Sequence, residues 1–296
     1  MNRRRGYKSL GNKSLRWRKI PKEDVYKAEV FLRERERFCV AACSRFLGIG
    51  ESGGHVWHLG DQDGGISALL LHTRRSLFPV FNKDARISGR VPGPRFLNRF
   101  LGKVPIHALQ GLREDVEVLE TLMVNQNYFA AEQIDYELMS LDSAPRPEAF
   151  MAGPARLILR APAAGDEEFL FNLQSAYEQE EVLPGNASFN PAVSRLNLEH
   201  ILSRERMLVA ELDGRVVGKI NTSAESFTRY QVGGVYVHPG CRGLGIAVRM
   251  TAVFVRNLLA EGKGITLFVK KRNTAAQAVY RKAGFSALAG YRITYY

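Results

Sequence analysis

The stretch VHPGCRGLGIAVRM (residues 237–250) joins a run of strand-forming residues to a helix through a proline, an arginine and two glycines. A strand, a glycine turn and a helix can form an anion site, because the first backbone N–H groups of a helix have no partner within it. Gly243 and Gly245 let a ligand approach the backbone, and Arg242 adds forked, charged donors. We therefore expect residues 242–247 to bind a diphosphate, with a plain tight turn as the alternative.

The spacing of this stretch excludes two common phosphate loops. No third glycine completes the G-x-G-x-x-G of dinucleotide-binding proteins, and the Gly-Lys-Ser/Thr of a P-loop is absent. The stretch does fit R-x-x-G-x-A, with Arg242, Gly245 and Ala247 in register. This spacing favours one class of phosphate-binding loop, although the pattern alone is modest evidence for it.

A second stretch, LFVKKRNTAAQAVYRKAGF (residues 267–285), consists of an apolar strand, then Asn273, then a helix that bears Ala276 and Tyr280 and ends in Gly-Phe. Together the two stretches resemble the signatures of the GNAT superfamily of acyl-CoA-dependent N-acyltransferases, in the expected order and at the expected distance. The resemblance covers roughly residues 155–296. It implies an α/β fold (α+β, with a mixed sheet), acetyl-CoA as the acyl donor and an amine as the acceptor.

The resemblance also implies roles for particular residues. In this superfamily the fourth and fifth strands splay apart, and the pantetheine arm of acyl-CoA pairs with the fourth strand as an added strand would. Tyr280 would protonate the leaving sulfur, and Asn273 would bond the cofactor arm or order the splayed strand. The cofactor-binding residues that we expect are Val235, Tyr236, Val237, Arg242, Gly243, Leu244, Gly245, Ile246, Ala247, Asn273, Ala276 and Tyr280.

The base that removes a proton from the attacking amine is less well determined. Glu180 and Glu181 follow a predicted helix that would border the acceptor cleft, but they could equally be solvated helix charges. The fourth strand carries Gln231, where some enzymes of the superfamily carry Glu. A water relay and the terminal carboxylate of Tyr296 remain alternatives. We expect no metal site, because the six histidines show no ligand spacing.

The order of predicted elements repeats along the chain, which indicates two tandem modules, each with a mostly antiparallel sheet and flanking helices. They are residues 21–144, the first half, and residues 155–296, the second half; a stretch with three prolines separates them. The layout resembles a bacterial group of GNAT proteins in which a degenerate module precedes a motif-bearing one. The first half offers only Gly111 where a phosphate loop would be, so we expect it to bind no acyl-CoA and to shape the acceptor pocket.

Composition and charge narrow the class of protein further. Apolar residues make up 45% and charged residues 24% of the chain, and no apolar run approaches the ~20 residues of a membrane helix. Three cysteines and the lack of a secretory signal favour a cytoplasmic protein with reduced thiols. Much of the net charge of +12 lies in residues 1–20, a basic tail that could contact nucleic acid but that is more often simply solvated.

Three hypotheses about function follow. The leading one is an N-acetyltransferase that moves an acetyl group from acetyl-CoA to a small-molecule or peptide amine by direct attack. The second is a non-catalytic protein that holds acyl-CoA and regulates a partner. The third is a transferase that takes an aminoacyl group from tRNA, which the basic tail favours and the CoA-type loop disfavours. The sequence identifies neither the acceptor nor the oligomeric state.

Overall fold

A mixed sheet organises the chain. The computed structural model describes residues 17–61, 64–73, 75–87, 96, 106–185 and 187–296, so the predicted basic tail lies outside the described residues except for its last four. The strands of the sheet are β1 Arg18–Lys19, β2 His55–Gly60, β3 Ile66–Thr73, β4 Ser76–Phe81, β5 Ala108–Leu112, β6 Glu132–Leu141, β7 Ile158–Arg160, β8 Met207–Leu212, β9 Arg215–Glu225, β10 Arg229–Val237, β11 Gly264–Lys270 and β12 Ser286–Tyr295.

All twelve strands belong to one continuous sheet, in the order β1-β2-β3-β4-β5-β12-β6-β11-β10-β9-β8-β7. Neighbouring strands are antiparallel except for the pairs β4–β5 and β10–β11, which are parallel. The predicted α/β fold with a mostly antiparallel, mixed sheet is therefore confirmed.

The two halves of the chain exchange their last strands. β6 comes from the first half, yet it pairs with β11 on one side and with β12 on the other. β12 is the last strand of the second half, and its other edge pairs with β5. The sequence places β6 in the first half, whereas its hydrogen bonds place it inside the sheet of the second. The sheets of the two halves therefore cannot separate without breaking backbone ladders.

Helices flank this sheet. They are α1 Val25–Arg33, α2 Val40–Leu47, α3 Ile49–Ser52, α4 Lys83–Ile87, α5 Arg113–Val124, α6 Pro147–Phe150, α7 Glu167–Tyr177, α8 Pro191–Arg204, α9 Ile246–Leu259 and α10 Thr274–Ala283. In the second half the largest core cluster joins apolar residues of α9, among them Met250, Phe254 and Val255, to β10 and β11. Within the described residues, no helix is both long and apolar enough to cross a membrane.

Two segments that read as loops contain short helices. The proline-rich linker contains α6, whose buried Ala149 packs against Val248 and Ala252 of α9. The segment that follows β4 also begins with a short helix, α4; residues 88–105 lie outside the described residues except for Phe96. The linker is thus a packed element beside the start of α9.

A buried carboxylate joins the first half to the turn that leads into β10. Glu36 is 5% exposed, and it accepts hydrogen bonds from the Ser226 hydroxyl (2.6 Å) and from the Thr228 backbone N–H (2.6 Å). The guanidinium of Arg33 lies over the ring of Phe227, 4.1 Å from its centroid. The first half therefore holds the start of β10 in place.

Candidate active site

The strands β10 and β11 diverge soon after they begin. Arg229–Gln231 of β10 pair in parallel with Gly264–Thr266 of β11. Along the described remainder of β10 there is no further pairing with β11. The other edge of β10 stays paired with β9 as far as Val237. One edge of β10 is therefore free of strand pairing over its second part.

A β-bulge in β10 lies where this divergence occurs. Gly234 and Val235 together face the single residue Ile220 of β9. The bulge requires a glycine, because Gly234 has a φ of +58° and a Cβ there would lie 1.9 Å from the Asn221 side-chain oxygen. β10 is paired with β9 on both sides of the bulge, and the bulge lies just beyond the last pair between β10 and β11.

A cavity of about 400 Å³ opens between the free edge of β10 and α10, the helix that follows β11, beside the turn that leads into α9. The structure brings nearly all of the predicted site residues together around it. The predicted residues that line it are Glu180, Glu181, Val235, Tyr236, Val237, Arg242, Gly243, Gly245, Ile246, Ala247, Asn273, Ala276 and Tyr280. Leu244 is the exception: it is 49% exposed and lies outside the cavity lining.

The two glycines of the turn before α9 differ in their surroundings. Both have positive φ, +80° at Gly243 and +81° at Gly245. A Cβ at Gly243 would meet nothing within 4 Å, whereas a Cβ at Gly245 would lie 2.8 Å from the backbone nitrogen of Gly153 in the linker. We expected both glycines to make room for a ligand. Gly245 lines the cavity but also makes room for the linker, whereas a Cβ at Gly243 would face open space.

Arg242 is fixed from two sides at the mouth of the cavity. Its Nε donates to the Val237 carbonyl (3.1 Å), and its Nη2 donates to Glu180 (2.9 Å). The other carboxylate oxygen of Glu180 accepts from the Tyr236 hydroxyl (2.5 Å). Burial alone would raise the pKa of Glu180, but these hydrogen bonds hold that pKa below its usual value. Glu180 is therefore a weak base in this arrangement.

Glu181 faces a different set of groups, although it lies in the same π-helical turn, Glu178–Val182. It accepts from the Asn273 side chain (2.9 Å) and lies 3.6 Å from Nζ of the buried Lys270. The side-chain oxygen of Asn273 accepts from the Ala276 N–H (2.9 Å) and so caps α10. Single-turn π segments are frequent at functional sites. The π-helical turn directs its two adjacent carboxylates to different partners, Glu180 to Arg242 and Glu181 to Asn273.

Tyr280 lies on α10 and lines the cavity with only 8% of its surface exposed. Burial raises the pKa of its hydroxyl well above the ordinary value, and the nearby Tyr177 and Glu181 raise it further. The hydroxyl therefore keeps its proton at neutral pH. A protonated hydroxyl next to the cavity could donate a proton to a leaving group.

Two groups considered in the sequence lie elsewhere. Tyr296 packs against Tyr128, with ring centroids 5.0 Å apart, and its backbone N–H bonds to the His107 carbonyl. It is absent from the cavity lining, so the terminal carboxylate is not placed to act as a base there. Gln231 is buried and donates to the Ser223 hydroxyl (3.1 Å), also outside the lining.

Sequence reasoning missed Lys219, which lies fully buried behind the bulge. Its Nζ donates to the Gly234 carbonyl (3.0 Å) and to the Asn221 side chain (3.1 Å). The hydroxyl of Tyr177 accepts from the Gly234 N–H (3.3 Å). The sequence did carry a signal for it: Lys219 follows the apolar run Val216–Gly218 in a strand that is mostly buried, where an unpaired cation is costly.

The sequence of residues 168–285 matches the model of the acetyltransferase (GNAT) family. A search of curated proteins finds no match.

Several solved structures share the fold along nearly the whole chain. A GCN5-related N-acetyltransferase from Sphaerobacter thermophilus has a TM-score of 0.56 and 18% identity, covering 95% of this chain and 95% of its own. A tandem GNAT protein from the clavulanic acid biosynthesis pathway has a TM-score of 0.58 and 13% identity, covering 95% and 97%. A Drosophila protein has a TM-score of 0.61 and 11% identity, covering 95% and 99%. At these identities the likeness establishes the fold alone. The match to the GNAT acetyltransferase family model itself covers residues 168–285, which lie in the second half of the chain.

Proposed function

We propose that this protein is an acyl-CoA-dependent N-acetyltransferase that moves an acetyl group from acetyl-CoA to a primary amine by direct attack. The observation that carries the proposal is the cavity between α10 and the edge of β10 that β11 leaves unpaired. It combines an unpaired strand edge, the N-terminus of a long helix and a fixed arginine, all next to a protonated tyrosine.

The described residues fit an acyl-CoA. The free edge of β10 from Val235 to Val237 offers backbone groups to a pantetheine arm. The first N–H groups of α9 lack helical partners, and together with Arg242 they can hold a diphosphate. Gly243 leaves the approach open, because no atom lies where its side chain would stand.

Among its described residues the first half does not show these features, which supports a single acyl-CoA site per chain. In the second half the glycine turn and α9 follow β10; at the matching place in the first half, after β4, the short helix α4 begins. Gly111, where the sequence placed the missing phosphate loop, lies instead within β5. Arg86 of α4 is paired with the buried Asp115 (2.5 Å) and with Glu114 (2.8 Å). Its guanidinium is therefore engaged by carboxylates of α5.

When bound, acetyl-CoA supplies the acetyl group as a reactive thioester. The amine nitrogen forms a bond to the acyl carbon and the carbon–sulfur bond breaks, while nitrogen loses a proton and sulfur gains one. Tyr280 is our candidate for the donor of the proton to sulfur. A backbone N–H of β10 is our candidate for the donor that stabilises the charge on the carbonyl oxygen.

Of the two glutamates, we assign the role of base to Glu181. Glu180 is held by Arg242 and Tyr236, and its pKa lies below the usual value. The charge of Glu181 raises the pKa of both Tyr280 and Tyr177, which favours Glu181 as the carboxylate next to the proposed chemistry. Glu180 then serves to hold Arg242 in position at the mouth of the cavity.

The test is to incubate the full-length protein with acetyl-CoA and a mixture of primary amines and to follow the release of free thiol. Acetylated products are identified by mass spectrometry, and a sample without amines measures simple hydrolysis. We expect thiol release to depend on amine and to fall in Tyr280→Phe. Acetyl-CoA that binds with no acetylated amine formed would contradict the proposal and would favour the acyl-CoA-binding regulator.

A further inference from the structure

Lys219 is a fully buried lysine that the proposed chemistry does not use. Lysine is among the residues that are least often buried completely, unless a partner compensates for the loss of water. Its side chain reaches from β9 to the bulge of β10, where Nζ lies 3.0 Å from the Gly234 carbonyl oxygen. The Asn221 side-chain oxygen is its second acceptor, at 3.1 Å. Both hydrogen bonds of Nζ therefore go to residues at the bulge.

Side chains hold both backbone groups of Gly234. Its N–H donates to the Tyr177 hydroxyl, and its carbonyl accepts from Lys219. No peptide bond in the described chain is cis, so the N–H of Val235 points away from the Gly234 carbonyl of the same peptide unit. Because the carbonyl points at Lys219, the Val235 N–H is directed away from Lys219. Val235 itself lines the cavity.

We propose that Lys219 is a positioning residue for acyl transfer: its hydrogen bond to the Gly234 carbonyl orients and polarises the Gly234–Val235 peptide, so that the Val235 N–H becomes a stronger donor to the carbonyl oxygen of the acyl group. This inference rests on the proposed function. The physical reason is that hydrogen bonds in a chain polarise one another, more so where the surroundings exclude water. Lys219 acts through the backbone and does not touch the substrate.

Few charged groups surround Lys219. The ring of Tyr177 lies 4.9 Å from Nζ, Tyr236 stands opposite on β10, and Glu178 is the carboxylate whose charge acts on the lysine. Glu178 is itself bonded by Gln174 (2.8 Å) and Asn197 (3.0 Å). Burial lowers the pKa of Lys219 to about 7, and Glu178 partly opposes this effect. The ammonium form, the stronger donor, is therefore lost as the pH rises through about 7.

The first test uses the protein without any ligand. The chemical shift of the Val235 amide proton is followed against pH in isotope-labelled wild type and in Lys219→Met. We expect the wild-type signal to move as Lys219 loses its proton near neutral pH, and the signal of the variant to stay still over the same range. A wild-type signal that does not respond, or an identical response in the variant, would overturn the proposal.

The second test separates positioning from a purely structural role. Methionine fills a similar volume without the charge, and a lowered pKa means that folding must release the lysine proton, at a free-energy cost that grows as the pH falls from 10.5 to about 7. We therefore expect Lys219→Met to keep or raise the melting temperature. Its kcat should fall about tenfold with KM for acetyl-CoA unchanged, less than the 10²–10³-fold loss that follows removal of a whole donor.

Lys263→Met is the matched control. Lys263 also donates to a backbone carbonyl, that of Ser226 (3.2 Å), but at the far end of β10 from the cavity. We expect its kcat to stay at the wild-type value. An unchanged kcat in Lys219→Met, or a lowered melting temperature with an equal loss in both variants, would overturn the positioning role. A wild type that transfers no acetyl group would contradict the proposed function instead, and the Val235 signal would still decide whether the peptide contact exists.

Discussion

Glu180 and Glu181 are adjacent in sequence but have separate partners, and this difference can be tested by removing one charge at a time. Glu180 bonds to Arg242 and Tyr236, whereas Glu181 bonds to Asn273. If Glu181 is the base, Glu181→Gln should lower kcat by about 10²-fold or more, the usual scale for a positioned acid or base. Glu180→Gln should act mainly on KM for acetyl-CoA, because Arg242 loses its partner. Steady-state kinetics with a larger kcat loss in Glu180→Gln would reverse the assignment.

Tyr280 should carry the proton to sulfur, and its burial sets the pH at which it can do so. Because burial raises the pKa of Tyr280 above the ordinary 10.0, the hydroxyl stays protonated up to at least pH 10. We predict that Tyr280→Phe keeps its affinity for acetyl-CoA and loses about 10²-fold in kcat. Below pH 10, the rates of the wild type and of the variant should therefore depend on pH in the same way. Wild-type turnover in Tyr280→Phe would mean that another group is the acid.

At the level of elements, the exchanged strand β12 depends on a buried ionic network. Arg292 of β12 is bonded to Asp135 of β6 (2.8 Å) and to Glu120 of α5 (2.9 Å), and its side chain is 11% exposed. Thr294 adds a hydrogen bond to Glu120. These contacts join three elements from both halves of the chain.

We predict that Arg292→Met lowers the free energy of unfolding by about 3 kcal/mol, because it leaves the buried carboxylate of Glu120 without its paired cation. Urea denaturation measures the effect. Arg281→Met is the control: Arg281 pairs with Glu137 with half of its side chain exposed, so its removal should cost about 1 kcal/mol or less. Equal losses in the two variants would show that the network does not hold β12.

Across the whole molecule, the site could be predicted from sequence much better than the sheet could. The turn and the helix residues Arg242, Gly243, Asn273 and Tyr280 are close in sequence to the elements that position them, so local patterns were enough. The exchange of β6 and β12 could not be predicted, because a strand has the same alternation of residues whichever strand it pairs with. Lys219 was missed for a related reason: its partners become visible only when the bulge of β10 is placed beside β9.

The exchange leads to a prediction about fragments. Residues 152–296 contain the expected second module but lack β6, so β11 and β12 would lose the strand between them. We predict that this fragment is insoluble or unfolded, and that a fragment of residues 130–296, which restores β6, folds and binds acetyl-CoA. Circular dichroism and size-exclusion chromatography compare the two. A stable, monomeric 152–296 fragment that binds acetyl-CoA would show that β6 is dispensable for the site.

Calorimetric titration of the full-length protein with acetyl-CoA tests the central claim, which is one acyl-CoA site in the cavity beside the free edge of β10. We predict one molecule bound per chain, and no binding in Ala247→Phe, which places a ring in the cavity lining at the first turn of α9. Ala260→Phe, at the exposed far end of the same helix, should bind as the wild type does. A stoichiometry near two, or undiminished binding in Ala247→Phe, would contradict the account.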